Sequence, residues 1–290
     1  MGCSVTAKRP DQGQAGTCLF DRITPAQFLI AHRGFRACYP ENTLCAFAAS
    51  LGNCGMIELD VRLSADNVAV VFHDRMLTRT SNALVVAAEL GLTSLALHDW
   101  RLGQLRRLDV GSWFLETDPF DALRLGQVER GRLLACLPQR LPTLRQVLAW
   151  AMVHRMPLNI ELKNMGLARP NELLVAEVAR EIATAGAAAQ VVLSSFNHTV
   201  LRVCRWLAPE VAIAALQEGA HPPDLIEYLR ALAVCAYHPA DALADPALIR
   251  TLRAAGLHVN VFTVNDPARQ RQLFTAGVTG IFTDYLKSAF

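Results

Sequence analysis

Residues 56–74 read MIELDVRLSADNVAVVFHD, and how this stretch turns decides the architecture. Residues 56–62 alternate, with Glu58 and Asp60 on one face and Ile57, Leu59 and Val61 on the other, the period of a β-strand. A second β-rich run at 68–72 follows after only residues 64–67. A parallel crossover needs a dozen or more residues, so this run must return antiparallel as a hairpin. A two-residue turn at Asp66-Asn67 suits residues that tolerate positive φ. It would pair Leu63 with Val70, Val61 with Phe72 and Asp60 with His73, delivering His73 beside the carboxylates of the first run.

Outward from the hairpin, β-rich runs alternate with helical patterns. The runs lie at 28–32, 56–62, 158–163, 191–195, 211–216, 232–237, 258–264 and 280–284, with helical segments such as 172–185 and 246–255 between them. Repeated strand–helix alternation argues for a parallel sheet with crossover helices, and eight such strands argue for an α/β fold closed as a cylinder, the (β/α)8 TIM barrel. An open doubly wound sheet is the competing arrangement, but no G-x-G-x-x-G or P-loop glycine pattern supports a nucleotide fold. Residues 1–27 are polar and irregular and read as a flexible extension, leaving 28–290 as one barrel domain. The connection after His73 is too long for a barrel loop, so residues 75–140 read as a lobe inserted over the barrel mouth.

Composition narrows the function. The 290 residues are 52% hydrophobic with a formal charge of +2, which excludes a disordered chain and gives no broad surface for nucleic acid. No uncharged run has the apolar continuity of a membrane span, and the first residues lack the apolar core of a secretory signal. The eight cysteines are scattered without a C-x-x-C pair and read as small core thiols in a reducing cytoplasm. Oligomeric state leaves no mark in the sequence.

In barrels, chemistry is built at the C-terminal ends of strands. There the chain carries His32-Arg33-Gly34, Glu58-Leu59-Asp60, His73-Asp74 and Glu161-Leu162-Lys163. Alternation turns Glu58, Asp60 and Glu161 into the barrel mouth, where three carboxylates in a partly dry site repel one another. A divalent cation resolves that conflict, and all-oxygen ligation favours Mg²⁺ or Ca²⁺ over Zn²⁺. The plainer reading pairs each acid with an arginine. His32 and His73 titrate near neutrality, as a general acid and a general base require. Arg33 and Lys163 add fixed positive charge suited to phosphate, or else neutralise the acids. His198 and His238 follow strands and could reach the mouth, but only His32 and His73 arrive beside the carboxylates. Together these groups fit displacement at phosphorus, and acid assistance to a leaving alcohol favours a phosphodiester substrate.

The ordered series His32-Arg33-Gly34, Pro40-Glu41-Asn42-Thr43, Glu58-x-Asp60, His73-Asp74, Glu161-x-Lys163, Phe262-Thr263-Val264-Asn265 and Gly280-Ile281-Phe282-Thr283-Asp284 resembles the glycerophosphodiester phosphodiesterase family, most of all its cytoplasmic bacterial branch. The resemblance implies a TIM barrel and hydrolysis of small-molecule glycerophosphodiesters to sn-glycerol 3-phosphate and an alcohol. It implies His32 and His73 as the acid–base pair and Glu58, Asp60 and Glu161 as ligands of Mg²⁺ or Ca²⁺. Arg33 and Lys163 would contact phosphate, and Phe262 would wall the glycerol pocket. The chain departs from the pattern at Asn67 and Ala83, where the family has glycine, and in the longer segment 116–138. Other classes fit less well: a relative acting on lysophospholipids or sphingolipids needs an apolar groove, and a silent barrel binding phosphorylated ligands typically lacks a histidine or an acid present here.

Overall fold

The computed structural model describes residues 18–286. The strands are β1 (Phe28–Ala31), β2 (Met56–Leu63), β3 (Ala69–Val71), β4 (Leu158–Leu162), β5 (Val191–Ser195), β6 (Ala212–Gln217), β7 (Ala236–Pro239), β8 (His258–Val261) and β9 (Gly280–Thr283). All but β3 are parallel, and β1 pairs with both β2 and β9, so the eight close into a barrel. The run at 232–237 becomes a strand only from Ala236, because Leu232 still ends the helix Leu225–Ala231 and is apolar for burial under that turn. No helix among the described residues is long and apolar enough to cross a membrane.

Local sequence explains the outer helices. Helices Pro246–Ala254 and Pro267–Ala276 both start on an aspartate followed by proline. The caps Asp245 and Asp266 each accept two backbone N–H groups that the first turn leaves without partners, and proline sits where no N–H is needed. Helix Ala168–Ala185 buries Leu174, Val175, Val178 and Ile182 along one stripe and stops at Gly186, whose φ of 63° a glycine adopts without steric cost. The strands alternate beneath these helices. Ile57, Leu59 and Val61 join the outer core, while Met56 joins Phe28, Ile30, Val192, Ala214, Ala236 and Phe282 in an apolar plug inside the cylinder.

That plug extends into part of the N-terminal segment expected to be flexible. The 3₁₀ turn Leu19–Arg22 inserts Phe20, only 2% exposed, into the open end of the barrel against Phe28 and His258. The end of the cylinder would otherwise leave apolar side chains wet, and burying one phenylalanine there is worth roughly 2–3 kcal/mol. Residues 1–17 lie outside the described residues.

The hairpin forms, but its register differs by one residue from the sequence reading. Val61 pairs with Val71, Arg62 with Val70 and Leu63 with Ala69. The connection is a three-residue loop, Ala65-Asp66-Asn67, closed by Ser64 N–H donating to the Val68 carbonyl at 3.0 Å, with Asn67 at φ 57°. One-residue slips are expected to wet a strand's apolar face, yet here both faces of β3 are covered. Ala69 and Val71 pack in the barrel core, while Val70 and Phe72 pack in a second core belonging to the lobe.

The inserted lobe carries helices Ala83–Leu90, Leu102–Leu105, Trp113–Thr117 and Arg130–Cys136. Leu77, Val86, Leu97, Trp100 and Leu105 form its core around Val70 and Phe72. The chain then rejoins the barrel through helix Leu144–His154, capped by Thr143.

Candidate active site

The barrel body supplies the acids. Glu58 and Asp60 project inward from β2, and β4 places Glu161 as the direct neighbour of Asp60. Each of the three offers an oxygen, and these oxygens lie within 4.8 Å of one another; all three residues are buried. Asp60 is held tightest. Its Oδ1 is 2.8 Å from Lys163 Nζ and its Oδ2 is 3.2 Å from Arg33 Nε, and Asn42 Nδ2 donates to Oδ2 at 2.8 Å. Lys163 also lies 2.5 Å from Glu161 Oε1. Among the described residues Glu58 receives only the backbone N–H of Arg33, at 2.8 Å, and no cationic side chain forms an ion pair with it.

Charge and burial therefore conflict inside the cluster. Burial would raise Asp60, but Lys163 and Arg33 hold it well below the usual carboxylate range. Burial pushes Glu58 well above that range, and the charges on Asp60 and Glu161 push it further. Glu161 is raised by burial and by Asp60, against the pull of Lys163. Two cations thus serve three buried acids. This all-oxygen donor set, with a carboxylate short of positive charge, fits a hard divalent ion. The plainer alternative of one arginine per acid does not hold: Arg33 pairs with Asp60 and Glu41 and leaves Glu58 without an ion pair.

Two imidazoles flank this cluster. His32 follows β1, and its Nδ1 is 2.8 Å from Oδ1 of Asp284, which follows the neighbouring β9. Asp284 also pairs with Arg36 at 3.2 Å and accepts Asn265 Nδ2 at 2.8 Å. Burial pulls the His32 value down, and Asp284 offsets part of that pull. His73 comes off the hairpin with Nδ1 2.5 Å from Asp74 Oδ1, and Arg62 Nε donates to its carbonyl at 2.8 Å. Asp74 is in turn 2.5 Å from Arg79 Nε.

Behind both stands Glu41, a carboxylate shared by Arg33 (3.0 Å), Arg36 (2.9 Å) and Arg79 (2.7 Å). Burial would raise it, yet Arg79, Arg33 and Arg36 hold it down at about 2. In the same segment Thr43 caps helix Leu44–Ser50, accepting from Ala46 N–H at 3.2 Å, while Asn42 serves Asp60. So the Pro40-Glu41-Asn42-Thr43 run is one part helix cap and two parts site scaffold.

A cleft of about 510 Å³ opens over these groups. His32, Arg33, Glu58, His73, Glu161 and Lys163 line its charged side, and Phe196, Leu216, Phe262 and Phe282 its apolar side. The Phe262 ring meets Phe196 edge-on, with centroids 5.5 Å apart. Two other histidines stand apart. His198 bonds Tyr228 and the Leu216 carbonyl through its two nitrogens. His238 is sealed inside the barrel beside Asn260, where burial pulls it down to about 3. Sequence reasoning assigned no part to Asp284, Asp74, Arg36, Arg79 or Asn265. Barrel closure was the available signal for Asp284, because it makes the last strand the neighbour of the first.

The chain has counterparts in known proteins. The model of the glycerophosphoryl diester phosphodiesterase family matches residues 32–288. The chain is 32% identical over 262 residues to a glycerophosphodiester phosphodiesterase of Bacillus altitudinis, covering 89% of this chain and 94% of that protein. It is 30% identical over 261 residues to one from Caldanaerobacter subterraneus, covering 88% and 93%. Among solved structures, a phosphodiesterase of Oleispira antarctica in complex with the product sn-glycerol-3-phosphate superposes with a TM-score of 0.75 at 26% identity, covering 94% of this chain and 98% of that one.

Proposed function

The chain belongs to the glycerophosphoryl diester phosphodiesterase family, and on that premise we propose that it hydrolyses glycerophosphodiesters to sn-glycerol 3-phosphate and an alcohol by histidine acid–base catalysis. One observation carries this reading: two imidazoles, each with Nδ1 tied to an aspartate, border the same cleft as three buried carboxylates. Glu58, Asp60 and Glu161 would hold Mg²⁺ or Ca²⁺, which when bound supplies charge stabilisation at the phosphoryl oxygens.

The chain's own groups do the rest. With Nδ1 engaged, Nε2 of each histidine is the nitrogen available to substrate. Burial keeps His32 neutral near pH 7, which suits it to take the proton of the attacking group, either water itself or a glycerol hydroxyl whose cyclic phosphate water then opens. His73 then gives a proton to the ester oxygen as its bond to phosphorus breaks, so the alcohol leaves neutral. Asp284 and Asp74 hold each ring in the tautomer that leaves Nε2 free and favour the charged imidazolium as it forms. Arg33 and Lys163 face the phosphate with positive charge that does not titrate away in the working range. Phe262 walls the glycerol side, with Phe196 against it. Likeness to bacterial relatives supports a cytoplasmic location, to be read from fractionation of the native host.

The test is a substrate panel of glycerophosphocholine, glycerophosphoethanolamine and lysophosphatidylcholine, assayed after chelation and after return of Mg²⁺ or Ca²⁺, with both products measured. Release of sn-glycerol 3-phosphate that stops on chelation and returns with either ion is the expected result. Turnover unchanged by exhaustive chelation removes the ion, and a strong preference for lysophosphatidylcholine replaces the substrate class.

A further inference from the structure

The segment that departs from the family pattern, residues 116–138, ends on a second chemical feature remote from the histidines. The lobe helix Arg130–Cys136 buries only Leu133 and leaves Leu134 exposed, so little apolar area holds it down. Its last residue lands on helix Leu44–Ser50 of the barrel, where Cys136 Sγ lies 2.6 Å from Cys45 Sγ. The two sulfurs are therefore in direct contact across the seam between lobe and barrel. Neighbouring groups fix the approach: Cys45 N–H donates to Gln139 Oε1 at 3.4 Å, and the Cys136 thiol donates to the Leu133 carbonyl at 3.1 Å.

We infer that Cys45 and Cys136 are a cross-linking site, joining as a disulfide that clamps the inserted lobe to the first barrel helix. The clamp attaches the lobe directly behind the segment carrying Glu41 and Asn42, the scaffold of both halves of the cleft. The oxidant is a hydroperoxide. The half-exposed Cys136 sulfur attacks its terminal oxygen, the O–O bond breaks, and a sulfenic acid and an alcohol (or water) result. Burial pushes the Cys45 thiol up, so it acts second. Its sulfur attacks Cys136 Sγ, the S–O bond breaks, and the departing hydroxide leaves as water with the Cys45 proton. Two thiols lose two electrons and the peroxide gains them.

The test uses the full chain, reduced, exposed to stoichiometric hydrogen peroxide, quenched, alkylated, and digested with trypsin without reductant. Cleavage after Arg36, Arg62, Arg132 and Arg140 puts Cys45 in peptide 37–62 and Cys136 in peptide 133–140. The expected product is these two peptides joined through Cys45, absent after reduction and absent in Cys45→Ser and in Cys136→Ser. Native tryptic cleavage at Arg132 should also slow at least about tenfold on oxidation, in the wild type only. Both cysteines recovered alkylated after oxidation, or Cys136 joined instead to Cys38 or Cys54 of the same peptide, overturns the inference. Should Cys45→Ser fold poorly, the solvent-accessible Cys136→Ser gives the same readout.

Discussion

The two imidazoles reach one cleft by different routes. His32 stands on the barrel, fixed by the pairing of β1 with β9 and by Asp284 at the end of the latter. His73 stands at the seam between barrel and lobe, fixed by a relay from Asp74 to Arg79 to Glu41. The first arrangement is the less exposed, with Asp284 buried, and rests on the closed sheet. The second is half-exposed and rests on ion pairs across the seam. Rigid backbone holds one of the two imidazoles proposed as acid and base, and charge holds the other, so the two sides should fail differently when broken.

The largest effect should be shared. His32→Ala and His73→Ala should each lower kcat/KM by about 10³-fold, since a positioned acid or base contributes about 10²–10⁴. Both variants should unfold within a few degrees of wild type. If either retains near-normal turnover, the two-histidine scheme fails and the comparison loses its premise.

Next comes Glu41, which joins the two sides. Glu41→Ala strands three guanidinium groups and should cost about 3 kcal/mol in chemical denaturation. Its folded value of about 2 lies below the ordinary 4.5, so the charged form stabilises the fold. That contribution is fully present above about pH 4.5 and is lost as pH falls through about 2, amounting to roughly 3 kcal/mol over the window. The wild type should therefore lose stability over that range more steeply than Glu41→Gln does. Equal slopes would detach Glu41 from the seam.

The aspartates separate the two routes. Asp284→Asn should lower kcat/KM by about 10²-fold, because a buried partner of His32 cannot be replaced by water. Asp74→Asn should cost only about tenfold, because Asp74 is a quarter exposed and water can substitute. A reversed order would mean that the seam, not the sheet, is the more exacting support.

How much of this was legible follows from the same contrast. Glu58, Asp60 and Glu161 could be read off two strands because one face of each carries charge and the other is apolar, so the period of two is visible. Asp284 lies 252 residues from His32, and only barrel closure brings them together. Phe20 is a single aromatic in a polar stretch and shows no period, so its place in the barrel end could not be foreseen. The hairpin register was misread for a definite reason. Val70, Val71 and Phe72 are apolar in succession, and a strand buried on both faces gives alternation nothing to report.

That register yields the finest test of where barrel ends and lobe begins. Val70 and Val71 are adjacent, yet the pairing assigns Val71 to the barrel core and Val70 to the lobe core. Each Val→Ala change should cost about 1–2 kcal/mol, but local hydrogen exchange should rise in the lobe helices for Val70 and in the barrel strands for Val71. The smallest effects belong to the loop. Asn67 alone among its three residues has positive φ, so Asn67→Gly should stabilise by at most about 1 kcal/mol. Asp66→Gly should instead destabilise by about 1 kcal/mol, because Asp66 Oδ1 accepts from Ser64 Oγ at 2.7 Å and from Leu102 N–H at 2.9 Å. A two-residue turn at Asp66-Asn67 would put both residues at positive φ and make glycine favourable at each. Stabilisation by Asp66→Gly would therefore restore the Asp60–His73 pairing and move His73 from the seam onto the barrel sheet.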